Sequence, residues 1–349
     1  MARTTHDTKR KCPLRHVAKV AGIGLGAYAL GCAFAFEFTV DTKSPVSIFA
    51  MKSSGKDKAK MATASTYDLE ATDWFKEKKE AVYTPGLQGR KLHAWTFKPE
   101  GTPRPHQYAV CVHGYMGEPS ETSPWAYHYA HMGFTVYVPS LRGDALDDGR
   151  FTGMGYTEKF DVNTWVKYIV ARDPEAQILL SGISMGGSTC LLCAGETDIP
   201  SNVKAIVSDS AFDDSYEVMV GSTMRNTHMP RPIAKLFVDG VDVINRFVQG
   251  FSFHDINVAD AVKKIDLPVL FIQGSEDEVV PAHSMEILYQ ADNAAGAEKL
   301  MVVGSQHAFE VIEQPDLYWN KVNTFVDRYF PAPDGPKASK ATGADAPAK

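Results

Sequence analysis

Between residues 91 and 330 of this 349-residue chain, short apolar runs alternate with segments of helical spacing. The runs at 108–112, 134–138, 178–181, 205–207, 269–272 and 300–303 are nearly continuous, which suits central strands of a sheet covered by helices on both faces. Residues 91–97 instead alternate apolar and polar, and predict a strand whose two faces differ. Segments 161–171, 284–290 and 317–329 fall between the runs with helical length and spacing, and 66–79 predicts a leading helix. This rhythm predicts the α/β class, a doubly wound, mostly parallel sheet. It breaks from about 212 to 264, where no strand-like run occurs. That interval predicts short helices inserted as a cap over the strand ends.

Upstream, residues 1–19 are basic and precede an uncharged, Ala-, Gly- and Phe-rich stretch at 20–36. Positive charge before an apolar stretch of this length predicts a signal-anchor at 20–38, with the bulk of the chain outside the cytoplasm. A cleaved signal peptide and a secreted product is the alternative. Ala29-Leu30-Gly31-Cys32 resembles a lipoprotein box but lacks the usual aliphatic residue, and is read as part of the membrane helix. Residues 39–64 read as a tether, 65–331 as the folded domain, and 332–349 as a disordered tail.

Composition narrows the partners. A chain that is 44% hydrophobic and 22% charged has ordinary globular character, and a net charge of −6 offers no basic field for nucleic acid. Cys111, Cys190 and Cys193 read as small buried hydrophobes with free thiols, a Cys190–Cys193 disulfide being the alternative. No cysteine–histidine spacing suggests a zinc site, and no metal is expected.

The candidate chemistry begins at Gly182-Ile183-Ser184-Met185-Gly186-Gly187, after the run at 178–181 and before a predicted helix. A sharp strand-to-helix turn between glycines lifts a serine clear of the sheet and sets it at a helix N-terminus. Ser184 is therefore the candidate nucleophile, with the backbone N–H of Met185 as an oxyanion donor. A serine hydroxyl needs a base and an orienting carboxylate. Asp277, in Gly274-Ser275-Glu276-Asp277 after the run at 269–272, is preferred to Glu276 and Glu278 as the acid. His307, after 300–303, is preferred to His283 as the base. His113-Gly114-Tyr115-Met116-Gly117 follows another run; Tyr115 is the second candidate oxyanion donor and His113 a brace for its loop.

These pieces, with Ser140-Leu141-Arg142-Gly143-Asp144 and Asp209-Ser210-Ala211-Phe212, resemble the α/β-hydrolase superfamily over about 83–330. The resemblance is to bacterial membrane-anchored serine hydrolases grouped with serine aminopeptidases and acyl-esterases. Relatives often carry histidine and glycine where this chain has Asp144 and Ala145. The resemblance implies acyl transfer through a covalent acyl-enzyme, without metal or organic cofactor, on a small-molecule ester or a short peptide. A peptidase would need an acid for the substrate amine, and Asp213, Asp214 and Glu217 are the cap candidates. A non-catalytic binding protein with the same fold is the remaining alternative. Met219, Met224, Phe237, Phe247 and Phe251 are candidates for an apolar substrate wall contributed by the cap.

Overall fold

Successive residues of a strand point to opposite faces, so a buried run must feed two cores at once. Val110, Val112, Ile178 and Leu180 join one apolar cluster, while Ala109, Cys111, Leu179 and Ile183 join the other. The computed structural model describes residues 13–48, 63–143 and 146–333. Residues 1–12 of the basic segment, 49–62 of the expected tether, Asp144, Ala145 and 334–349 of the expected tail lie outside the described residues.

Eight strands form one sheet: β1 (Glu80–Pro85), β2 (Lys91–Phe97), β3 (Gln107–Val112), β4 (Thr135–Pro139), β5 (Gln177–Ile183), β6 (Val203–Asp209), β7 (Val269–Gly274) and β8 (Glu298–Val302). Their spatial order is β1-β2-β4-β3-β5-β6-β7-β8; β1 and β2 pair antiparallel with their neighbours and all other pairs are parallel. Each expected run is a strand. β1 carries no apolar run because it is an edge strand with no fully buried residue.

After α1 (Pro13–Thr39), the helices are α2 (Ala64–Tyr67), α3 (Leu69–Lys78), α4 (Ser123–His131), α5 (Glu158–Arg172), α6 (Met185–Ala194), α7 (Ser215–Thr227), α8 (Arg231–Gln249), α9 (Val258–Val262), α10 (His283–Ala291), α11 (Glu310–Glu313) and α12 (Pro315–Tyr329). Side chains of α5, α6, α9 and α10 cover one face, and those of α3, α4 and α12 the other. The leading helix expected at 66–79 is two helices. Asp68 breaks it and caps α3 by accepting the Ala71 N–H at 3.0 Å.

The interval 212–264 is helical, as expected, but not uniformly cap. α7 and α8 form the insertion, with α8 running 19 residues, whereas α9 packs on α6 and α10 as part of the main layer. Cys111, Cys190 and Cys193 are buried and unbridged, and burial pushes all three thiols up.

The described start of the segment after α1, residues 40–48, packs on the domain. Arg150 pairs with the buried Asp41 at 2.7 Å, and the Thr42 N–H donates to the Arg150 carbonyl at 2.9 Å. Phe36 and Val40 belong to the main core. These partners lie more than a hundred residues away in sequence, which is why the segment alone reads as polar linker.

Candidate active site

Ser184 sits between β5 and α6 with φ 56° and ψ −124°, a left-handed conformation that a non-glycine residue holds only where its surroundings enforce it. The enforcement comes from its flanking glycines. A Cβ on Gly182 would fall 2.3 Å from the Gly186 carbonyl oxygen, and one on Gly186 would fall 2.1 Å from that of Val112. The Ser184 N–H donates to the Asp209 carbonyl at 2.8 Å, pinning the turn to β6.

His307 Nε2 lies 2.9 Å from Ser184 Oγ, and His307 Nδ1 lies 2.6 Å from Asp277 Oδ2. Asp277 is held on every side. Its Oδ1 accepts the N–H groups of Val279 and Val280 at 2.7 and 2.8 Å, and its Oδ2 accepts Gln273 Nε2 at 2.6 Å. With Nδ1 donating to this fixed carboxylate, Nε2 is the nitrogen left to accept the serine proton. Glu276 and Glu278 are exposed, and His283 lies exposed at the start of α10.

The loop after β3 closes over the serine. A Cβ on Gly114 would come within 3.2 Å of Ser184 Cβ, so a larger residue there would press on the serine. His113 braces the loop: its Nδ1 lies 3.0 Å from the Gly114 carbonyl and its Nε2 accepts the Leu141 N–H at 3.1 Å. Tyr115 lines the cavity above Ser184, and its hydroxyl donates to the Thr39 carbonyl at 2.5 Å. Met185 opens α6, placing its N–H in the first turn beside Ser184.

The cavity, about 150 Å³, is lined by Thr63, Ala64, Trp125, Ile183, Phe309 and the loop residues His113 to Tyr115, around Ser184 and His307. None of the cap residues expected to form the substrate wall lines it. Met219 and Met224 pack on the core, Phe251 is buried and stacked on Tyr156, Phe237 packs on Tyr28 of α1, and Phe247 is exposed. The wall comes instead from the segment before α3 and from α4, both distant in sequence. Nor do the three cap acids reach it. Asp214 caps α7, Glu217 pairs with Arg231, and Asp213 is not among the lining residues; the lining acid is Glu121.

Behind His307 lies a buried polar group that the sequence did not announce. The Ala308 N–H donates to Ser210 Oγ at 3.2 Å, and that hydroxyl lies 3.0 Å from Asp209 Oδ1 and 3.1 Å from Glu310 Oε1. Tyr318 donates to Asp209 Oδ2 at 2.8 Å and accepts from Trp125 at 2.7 Å. Burial pushes the Asp209 carboxyl up to about 6 and that of Glu310 well above the usual range. Asp209-Ser210 was visible as a motif, but nothing local marked its partnership with Glu310, a hundred residues away. Among the described residues no group of three or more His, Cys, Asp or Glu side chains is arranged to hold a metal.

A sequence profile described as the alpha/beta hydrolase fold matches residues 110–242, which run from the second half of β3 through β4, β5, the Ser184 turn and β6 to most of α8. The chain has the α/β-hydrolase fold. Among proteins similar to this α/β-hydrolase chain, the uncharacterised protein YqkD of Bacillus subtilis is 24% identical over 285 residues, covering 80% of this chain and 89% of its own. A thermostable monoacylglycerol lipase of a Bacillus species is 25% identical over 216 residues, covering 57% of this chain and 81% of its own. Of solved structures, the Pyrococcus furiosus esterase Pf2001 superposes with TM-score 0.59 at 18% identity, covering 72% of this chain and 92% of that one. These structures share the fold.

Proposed function

We propose that this α/β hydrolase is a serine hydrolase that cleaves a carboxylic ester through an acyl-enzyme on Ser184. The observation that carries the proposal is the unbroken line from Asp277 through His307 to Ser184, with contacts of 2.6 and 2.9 Å. His307 takes the proton as Ser184 Oγ bonds to the acyl carbon, and returns it to the departing alcohol. Water, deprotonated by the same imidazole, then releases the acid and restores the serine. The backbone N–H groups of Tyr115 and Met185 are the proposed donors to the oxyanion. The lipase and esterase named above support ester chemistry over other acyl transfers.

The site is proposed to lie outside the cytoplasm, with α1 as a single-pass anchor. Gly22–Thr39 is an 18-residue stretch of mean hydropathy 1.3 near the N-terminus. The contacts of Tyr28 with Leu236 and Phe237 and the buried position of Cys32 support retention over cleavage, because a cut just after Cys32 would remove side chains that α8 packs against.

The test is hydrolysis of short p-nitrophenyl esters by the intact chain beside its Ser184→Ala variant. A loss on the order of a millionfold is expected for a triad serine, and full retention of activity overturns the proposal. Aminoacyl amides with free and blocked amines, run in parallel, distinguish a peptidase. The placement of Asp213, Asp214 and Glu217 away from the cavity favours the esterase.

A further inference from the structure

Helix α8 presents three different faces. Ala234, Val238, Val241 and Asn245 are buried toward the domain. A second face meets α1: the Phe237 and Tyr28 rings sit edge to face with centroids 5.9 Å apart, and the Tyr28 hydroxyl donates to the Leu236 carbonyl at 2.6 Å. A Cβ on Gly240 would lie 2.3 Å from Cys32 Sγ, so the contact depends on glycine there. The third face is apolar and uncovered. Leu236, Val243 and Phe247, spaced seven and four residues apart, are 50%, 53% and 88% exposed.

The side of α1 turned away from α8 is apolar and exposed as well, at Ile23, Leu30 and Phe34. The apolar part of α1 is short. Its 18 residues rise about 27 Å, against about 30 Å of bilayer hydrocarbon. The residues that touch α8, Tyr28 and Cys32, fall within this stretch, leaving no slack for α8 to stand clear of the lipid. Lys235, Asp239 and Arg246 lie on the side of the stripe away from α1, so that an apolar and a polar surface adjoin along α8.

We infer that α8 is a second membrane-contacting element, with Leu236, Val243 and Phe247 inserted into the lipid beside α1. The inference rests on the reading of α1 as a membrane anchor and names what that anchor leaves unstated: the domain is seated on the bilayer by its cap instead of being held off it. The seat lies close to the chemistry, since the Tyr115 hydroxyl at the cavity bonds the Thr39 carbonyl at the end of α1. Substrate would then be taken at the membrane surface, which suits an amphiphilic ester.

The test uses the full chain in a Cys12→Ser background, with single reporter cysteines made by Phe247→Cys, Leu30→Cys and, on the exposed start of β6, Lys204→Cys. Each is labelled with an environment-sensitive fluorophore and reconstituted into phosphatidylcholine vesicles with or without doxyl-labelled lipid. Hydrolysis of a soluble ester confirms that each variant is folded. Quenching by the labelled lipid is expected at 247 and at 30, with none at 204. Quenching at 30 without quenching at 247 overturns the inference and leaves the anchor standing. No quenching at either position overturns both. Shielding of 247 from aqueous iodide without lipid quenching points to a protein partner or a second copy, and also overturns the inference.

Discussion

Gly274 and Ser305 approach so closely that a Cβ on Gly274 would lie 2.4 Å from the Ser305 carbonyl oxygen. This contact clamps the loop bearing Asp277 to the loop bearing His307. Two further bonds reinforce it: Ser275 N–H to the Val302 carbonyl at 3.0 Å and Glu276 N–H to that of Ser305 at 2.9 Å. Gly274→Ala must push the loops apart. Its expected effect is a fall in kcat of about a hundredfold, the cost of displacing a reacting group by about 1 Å, with KM little changed. Steady-state kinetics on a soluble ester checks it; unchanged kcat would show that the clamp does not set the alignment.

Asp277→Asn keeps the shape of the acid but no longer favours the required imidazole tautomer. A fall in kcat of about ten-thousandfold is expected, whereas Glu276→Gln and Glu278→Gln leave kcat within about twofold, being solvated charges. Comparable losses in all three variants would contradict the assignment of the acid.

The sequence made the turn at Ser184 legible because its requirements are local: a strand, two close-approach glycines and a helix, within the eighteen residues from Gln177 to Ala194. Asp277 and His307 were legible for a related reason, since each follows an apolar run that reads as a strand, fully buried in β7 and half-buried in the edge strand β8. The cavity wall was not. Thr63, Ala64 and Phe309 meet there only because α2 folds back onto the α11 end of the domain, where the Tyr67 and Phe309 rings lie 5.7 Å apart. Apolar periodicity in the cap revealed buried faces without saying whether they meet substrate, α1 or the core. The same limit hid β1, whose edge position demands little of its side chains.

The buried carboxyls behind His307 predict a pH-dependent stability. The Asp209 carboxyl, raised by burial to about 6 from an unfolded value of 3.8, favours the folded state fully below pH 3.8. That contribution is lost as pH rises through about 6. Glu310, shifted in the same direction, acts with the same sign. Asp209→Asn, which keeps an acceptor for Tyr318, is expected to be more stable than the parent at pH 8 by on the order of 1–3 kcal/mol, with the gap closing toward pH 4. Urea unfolding across this range measures it; a pH-independent difference would contradict the account.

Gly240→Val places a branched side chain where Cys32 and Tyr28 sit. It is expected to separate α1 from α8 and expose the Cys32 thiol, which is buried in the parent. In a Cys12→Ser background, the rate of maleimide labelling of folded protein at Cys32 should rise well above that of the parent. An unchanged rate would mean that the two helices do not depend on this glycine for their contact.

The central claim is that Ser184 carries the acyl group. Intact-mass and peptide mass spectrometry of the folded chain after a fluorophosphonate probe, or after a slow ester substrate quenched in acid, reads this directly. The account predicts one adduct, on Ser184, abolished by Ser184→Ala and strongly slowed by His307→Ala. Turnover of the ester with no adduct on Ser184, or labelling that survives Ser184→Ala, would contradict it.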